Sequence, residues 1–77
     1  MTYQYVASRH HALCAQACET LGDAIQAAAL DWEVGEAWPW KIVAPDGQVL
    51  WEQSGPLTTG ATLRRFADEH GAGWPVV

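Results

Sequence analysis

A turn sequence between two apolar segments is the feature that most constrains the fold of this chain. Residues 38–43 and 48–52 are rich in tryptophan and β-branched residues, and Ala44-Pro45-Asp46-Gly47 separates them. Proline at the second turn position, followed by Asp and Gly, is typical of a type I turn with the glycine in a G1 bulge. The segment therefore predicts a β-hairpin with Val43 opposite Val49, Ile42 opposite Leu50 and Lys41 opposite Trp51.

This predicted hairpin is apolar on both faces. The expected pairing places one apolar set on each face: Trp40, Ile42 and Leu50 on one, and Val43, Val49 and Trp51 on the other. An antiparallel sheet that is apolar on both sides needs cover on each side, or a partner on one of them.

A helix is indicated immediately before the hairpin. Thr20 is followed three residues later by Asp23, a pattern close to a capping box. Apolar residues then recur at helical spacing, and Gly35 suits the position just after a helix. We predict an α-helix from Leu21 to Val34.

The two ends of the chain carry weaker patterns. Residues 2–7 alternate and are aromatic or β-branched, which predicts a first strand. Residues 9–18 are alanine-rich and fit a helix capped by Ser8, but their apolar residues also alternate, so a strand remains open. Residues 60–69 predict a last helix capped by Thr59 and ended by Gly71.

These elements predict one α+β domain over residues 1–77. We expect a small antiparallel sheet of about three strands, built around the central β-hairpin and packed against two or three helices. Such a short chain has room for only one small core. With 49% hydrophobic and 17% charged residues, the composition excludes a disordered, solvating segment.

Charge and targeting signals limit the partners and the compartment. The net charge of −5 argues against nucleic acid or an anionic membrane as a direct partner. No uncharged run is long enough to span a bilayer, and no signal peptide is visible. Cys14 and Cys18 are too few for a disulfide framework, so we interpret them as reduced thiols in a cytoplasmic protein.

No motif in the chain indicates catalysis or a cofactor. Phosphate-binding glycine patterns and paired carboxylates at a defined separation are missing, and we expect no enzyme activity. If residues 9–18 were helical, His10, Cys14 and Cys18 would lie one above another, a spacing compatible with metal ligands. A small metal or redox protein using these three residues is therefore an alternative, although we expect no metal.

Acidic and tryptophan residues mark the candidate binding surface. From His10 to Trp40 there are five acidic residues and neither Lys nor Arg, and the whole chain contains five tryptophans. A core this small can hardly bury five indoles, so some should be exposed as interface anchors. The candidate partner-binding residues are Asp31, Glu33, Glu36, Trp38 and Trp51.

The run Thr20-Leu21-Gly22-Asp23-Ala24-Ile25, with Gly35-Glu36-Ala37-Trp38-Pro39 and Asp46–Glu52 after it, resembles a pattern in small uncharacterised bacterial and phage proteins. This resemblance covers about residues 20–52 and implies a helix followed by a hairpin. By its general profile the chain is also similar to phage anti-CRISPR-type inhibitors. Together with the acidic and tryptophan residues, this second likeness leads us to expect a non-catalytic, acidic, Trp-rich protein-binding module. It would be a phage or mobile-element inhibitor that sterically blocks a basic surface of a nucleic-acid-handling protein complex. The alternative is a housekeeping domain that acts through homo-oligomerisation.

Overall fold

A computed structural model describes residues 1–55 and 57–75. Its elements follow one another as β1 (Tyr3–Arg9), β2 (Ala12–Cys18), α1 (Leu21–Val34), β3 (Trp38–Val43), β4 (Val49–Glu52) and α2 (Thr59–Glu69). The strands form one antiparallel sheet in the order β2-β1-β3-β4. The predicted α+β class is confirmed, and the described residues form four strands where about three were expected. In the described ranges, neither helix is long and apolar enough to cross a bilayer.

The helix predicted for residues 9–18 is wrong, and the strand alternative is correct: Arg9 ends β1, and a turn and strand β2 follow it. His10 and His11 have φ angles of 50° and 66°, which make the two-residue turn of a type I′ hairpin between Arg9 and Ala12. The seven residues of β2 then pair along the whole of β1. Alanine favours helices by only a fraction of a kcal/mol, about 0.5 per residue, and pairing with β1 overrides that preference.

Helix α1 has the bounds that the sequence predicts. The Thr20 hydroxyl accepts a hydrogen bond from the Asp23 amide at 3.1 Å, as expected for an N-cap. At the other end Gly35 has a φ of 81°, and its N–H donates to the Asp31 carbonyl at 2.8 Å. The helix packs on β1 and β3 through its small buried face, which includes Ala24, Ile25 and Ala28.

The β3–β4 hairpin forms as predicted, but its register differs by one residue beyond the first pair. Val43 pairs with Val49, whereas Ile42 pairs with Trp51 and Lys41 with Glu52. A bulge between these pairs takes up Leu50, so the alternation of side chains reverses from there on. Trp51 therefore lies on the core face with Ile42 and is 7% exposed. The predicted face for Trp51 was wrong for this reason.

Helix α2 packs against α1 and contributes side chains to the hydrophobic core. It begins at Thr59, one residue earlier than predicted, and Thr58 occupies the N-cap position without a side-chain cap hydrogen bond. The hydroxyl of Thr59, predicted as the cap, is buried and donates to the Gly55 carbonyl at 2.7 Å. Leu63, Phe66 and Ala67 face the core cluster, which also contains Tyr5 and Ile42 from the sheet.

Candidate binding groove at the C-terminal end of α1

An open groove of about 420 Å³ lies where the end of α1 meets the start of β3 and the end of β1. The αL turn at Gly35 ends the helix and redirects the chain into β3, so residues from both elements face each other. The lining residues are Ser8, Trp32, Gly35, Glu36, Ala37 and Trp38.

Two tryptophans form an aromatic wall in this groove. The rings of Trp32 and Trp38 meet edge to face, with centroids 5.3 Å apart and an interplanar angle of 76°. Trp32 is also held from behind by α2, because a Cβ on Gly60 would lie only 2.7 Å from its Nε1. Glycine at position 60 is thus what lets α2 approach the indole. Helix α2 therefore packs against Trp32 from one side, and the other side of the Trp32–Trp38 pair lines the open groove.

A carboxylate lies at the rim of the groove, beside the C-terminus of helix α1. Glu36 is exposed at its rim, and among the described residues it takes part in none of the ion pairs. Helix α1 ends here with no basic residue in its last turn, so the partial negative charge of the helix C-terminus is not offset by the helix itself. A cation in the groove would meet a carboxylate, a helix end and two indoles.

Asp31, predicted as a surface residue, is buried in the fold. Its Oδ2 accepts hydrogen bonds from the Tyr5 hydroxyl at 2.8 Å and from Arg9 Nη2 at 2.9 Å. Burial, and then the hydrogen bond to Asp31, raise the pKa of Tyr5 far above its ordinary value. The prediction that Asp31 is exposed to a partner is corrected: the side chain joins α1 to β1.

Glu33 is also engaged within the chain. Its Oε1 accepts from Arg64 Nη2 and from Trp74 Nε1, both at 2.7 Å, and the Arg64 guanidinium lies 4.8 Å from the centre of the Trp74 ring. The hydrogen bond from Trp74, and then that from Arg64, lower the pKa of Glu33. Glu33 therefore ties α1 to α2 and to the C-terminal segment.

Trp51 lies in the core, so it is not the exposed anchor that the sequence suggested. Its indole Nε1 is buried and, within the described residues, has no hydrogen-bond partner. Of the five predicted residues the fold brings Glu36 and Trp38 together at the groove, and it places Asp31, Glu33 and Trp51 in internal contacts.

The histidines and cysteines do not form a cluster. His10 lies in the β1–β2 turn, Cys14 is exposed and Cys18 is buried; both thiols are free. Four residues apart on a strand, the two cysteines are separated by about 13 Å, rather than stacked as on a helix. In residues 1–55 and 57–75 no group of three or more His, Cys, Asp or Glu side chains could hold a metal ion.

Sequence reasoning missed Trp32 as a groove wall, because its helical spacing assigns it to the core. The signal that could have found it is Gly35, which places a tryptophan of the last helical turn close to one at the start of the next strand. The chain was also compared with protein-family models, curated proteins and solved structures. None of the three comparisons finds a match.

Proposed function

We propose that this chain is a non-catalytic protein-binding module whose groove receives an arginine or lysine side chain from a basic surface of another protein. The observation that supports this best is the combination of an open Trp32–Trp38 wall with the exposed Glu36 carboxylate. An aromatic face attracts a cation, and a carboxylate at the rim orients it.

The binding free energy expected from one cation in the groove is that of a single anchor residue, and it is too small for a complete interface. A cation on an aromatic face contributes about 0.5–2 kcal/mol, depending on how far it is desolvated. A rim ion pair with Glu36 adds about 0–1 kcal/mol, because water and salt screen it. One occupied groove therefore accounts for a hot spot, and the surrounding surface must supply the remaining affinity.

The net charge of −5 would steer the module towards a basic partner. A protein that handles nucleic acid presents such a surface, so the bound module would block it sterically, in the manner of an inhibitor. The free thiols of Cys14 and Cys18 suit a reducing, cytoplasmic setting for this role.

Titration with a short peptide rich in Arg and Lys tests the proposal. The peptide should shift the indole N–H signals of Trp32 and Trp38 in ¹⁵N NMR spectra, and a matched peptide with Glu in place of the basic residues should not. Trp38→Ala should lower the affinity by about tenfold or more, as expected for an anchor. Glu36→Gln should weaken binding mainly at low salt.

Asp68→Asn is the matched control, because Asp68 is an exposed acid on α2 and its loss changes the net charge equally. If Asp68→Asn weakened binding as much as Glu36→Gln, the attraction would be general and the groove would not be the site. Peptide shifts confined to residues outside the groove would also contradict the proposal.

A further inference from the structure

The sheet has one edge that is open to pairing. Strand β2 is an outer strand and, in the part of the chain that the structure describes, no strand lies on its outer side. Its seven residues, ALCAQAC, carry neither charge nor proline, and all except Cys18 are exposed. Natural proteins usually protect such an edge with charges, proline, bulges or short length.

The opposite edge of the same sheet has these protections. Strand β4 is four residues long, has a bulge at Leu50 and carries Glu52. The two edges therefore differ in the features that prevent association of strands. Of the two edges that the described strands form, the β2 edge is therefore the one that lacks these protections.

The β1–β2 turn determines which backbone groups of β2 face outward. A two-residue hairpin turn makes Arg9 and Ala12 a hydrogen-bonded pair, and hydrogen-bonded and non-hydrogen-bonded pairs then alternate along the strands. Ala12, Cys14, Gln16 and Cys18 consequently direct their N–H and C=O groups towards β1. Leu13, Ala15 and Ala17 direct theirs towards the free edge.

From this geometry we propose that β2 pairs antiparallel with β2 of a second copy of this chain, about a two-fold axis at Ala15. Ala15 lies opposite Ala15 of the second copy, and Leu13 lies opposite Ala17 of the second copy. This register uses the outward N–H and C=O groups of all three residues, because each pair is of the hydrogen-bonded kind. The product is a symmetric dimer with a continuous eight-stranded sheet.

Side chains in this register are compatible with a second copy. Leu13, which is 61% exposed, gains Ala17 of the second copy as its cross-strand neighbour. No like charges come together, although each chain has a net charge of −5, because β2 is uncharged. Beyond the strand ends, the exposed His11 lies opposite Glu19 of the second copy, so the imidazole can donate a hydrogen bond to the carboxylate.

Helix α1 leaves this edge of the sheet accessible. The side chains of β2 that lie on the same face of the sheet as α1 are exposed at three positions: Ala12, Cys14 and Gln16.

Sedimentation equilibrium of the full chain is the first test. Wild-type protein should show a concentration-dependent particle of twice the 8.4 kDa chain mass. Ala15→Lys should abolish it, because the two lysines would face each other across the axis. The control Ala61→Lys makes the same change on the exposed face of α2 and should still dimerise. Circular dichroism checks that both variants fold.

Cysteine crosslinking tests the register, in a Cys14→Ser background. Ala15→Cys should form a disulfide-linked dimer under mild oxidation, since the Cα atoms of a hydrogen-bonded pair are about 5.5 Å apart, within the range of a disulfide. Leu13→Cys should not crosslink, because its equivalent in the second copy is about 14 Å away along the strand.

Three results would overturn the inference: a wild-type chain that stays monomeric at about millimolar concentration, a dimer that survives Ala15→Lys, or a crosslink from Leu13→Cys but not from Ala15→Cys. A wild-type monomer would leave the edge free for a strand of another protein instead. None of these measurements depends on the groove, so this proposal and the proposed function can fail separately.

Discussion

Replacing Asp31 with alanine should be among the most damaging single changes in this fold. The substitution leaves the Tyr5 hydroxyl, in a residue that is 1% exposed, without an acceptor, at a cost of about 1–3 kcal/mol. Loss of the Arg9 pair adds only about 0–1 kcal/mol, because the side chain of Arg9 is 36% exposed and its charge is screened. The free energy of unfolding should therefore fall by about 1–4 kcal/mol.

That loss is large for a chain of this size. At about 0.05–0.15 kcal/mol per residue, 77 residues give a total stability of about 4–12 kcal/mol. In a domain of this length, each kcal/mol shifts the melting temperature by about 4–8 °C. Urea unfolding followed by far-ultraviolet circular dichroism, together with a thermal scan, would measure both quantities for Asp31→Ala.

Companion variants separate the hydrogen bond from simple loss of charge. Tyr5→Phe should cost less than Asp31→Ala, because it removes the donor along with the need for an acceptor. The double variant should then be more stable than the sum of the single effects implies, since the two groups share one interaction. Glu36→Ala is the exposed acidic control and should change stability by no more than about 0.5 kcal/mol. Equal effects of Asp31→Ala and Glu36→Ala would refute the assignment of Asp31 to the scaffold.

Three further predictions concern packing, titration and thiol access. Gly60→Ala should lower stability by about 1–2 kcal/mol and alter tryptophan fluorescence, because overpacking against the indole outweighs the gain in helix propensity. Trp74→Phe should raise the pKa of Glu33 in a ¹³C NMR titration by removing the main group that lowers it. A lowered folded-state pKa stabilises above the unfolded value, about 4.3, so the difference between wild type and variant should vanish as pH falls through the folded pKa. A thiol reagent should label Cys14 but not Cys18 in native protein, and both in urea; rapid native labelling of both would contradict the described burial.

Local signals predicted the central helix fully. The bounds of α1 follow from Thr20, Asp23 and Gly35, whose capping contacts involve residues three or four positions away. These contacts depend on neighbouring residues rather than on tertiary packing, so the sequence alone predicts them. The turn at Gly47 is of the same kind: its amide donates to the Ala44 carbonyl at 2.9 Å.

Elements that depend on distant pairing could not be decided in this way. Residues 12–18 have both alanine content and alternation, and only the presence of β1 alongside selects the strand. In β4 both Leu50 and Trp51 are apolar, so either register buries a suitable side chain. The bulge that favours Trp51 changes the inward face without changing the hydrophobic pattern, and no local feature of the sequence distinguishes the two registers.

The acidic segment illustrates why a candidate site needs the fold. Between His10 and Trp40 the chain has neither lysine nor arginine, which suggests that every acid there is unpaired. Folding brings in Arg9, which directly precedes this stretch, and Arg64 from helix α2, and they neutralise Asp31 and Glu33. Each acid lies 22 or more residues from its arginine, so composition cannot reveal either pair. The negative charge that remains at the end of α1 is Glu36, beside the two tryptophans that the αL turn brings together. Because Asp31 and Glu33 are paired within the fold, Glu36 is the acid of the predicted set that the groove can offer to a partner.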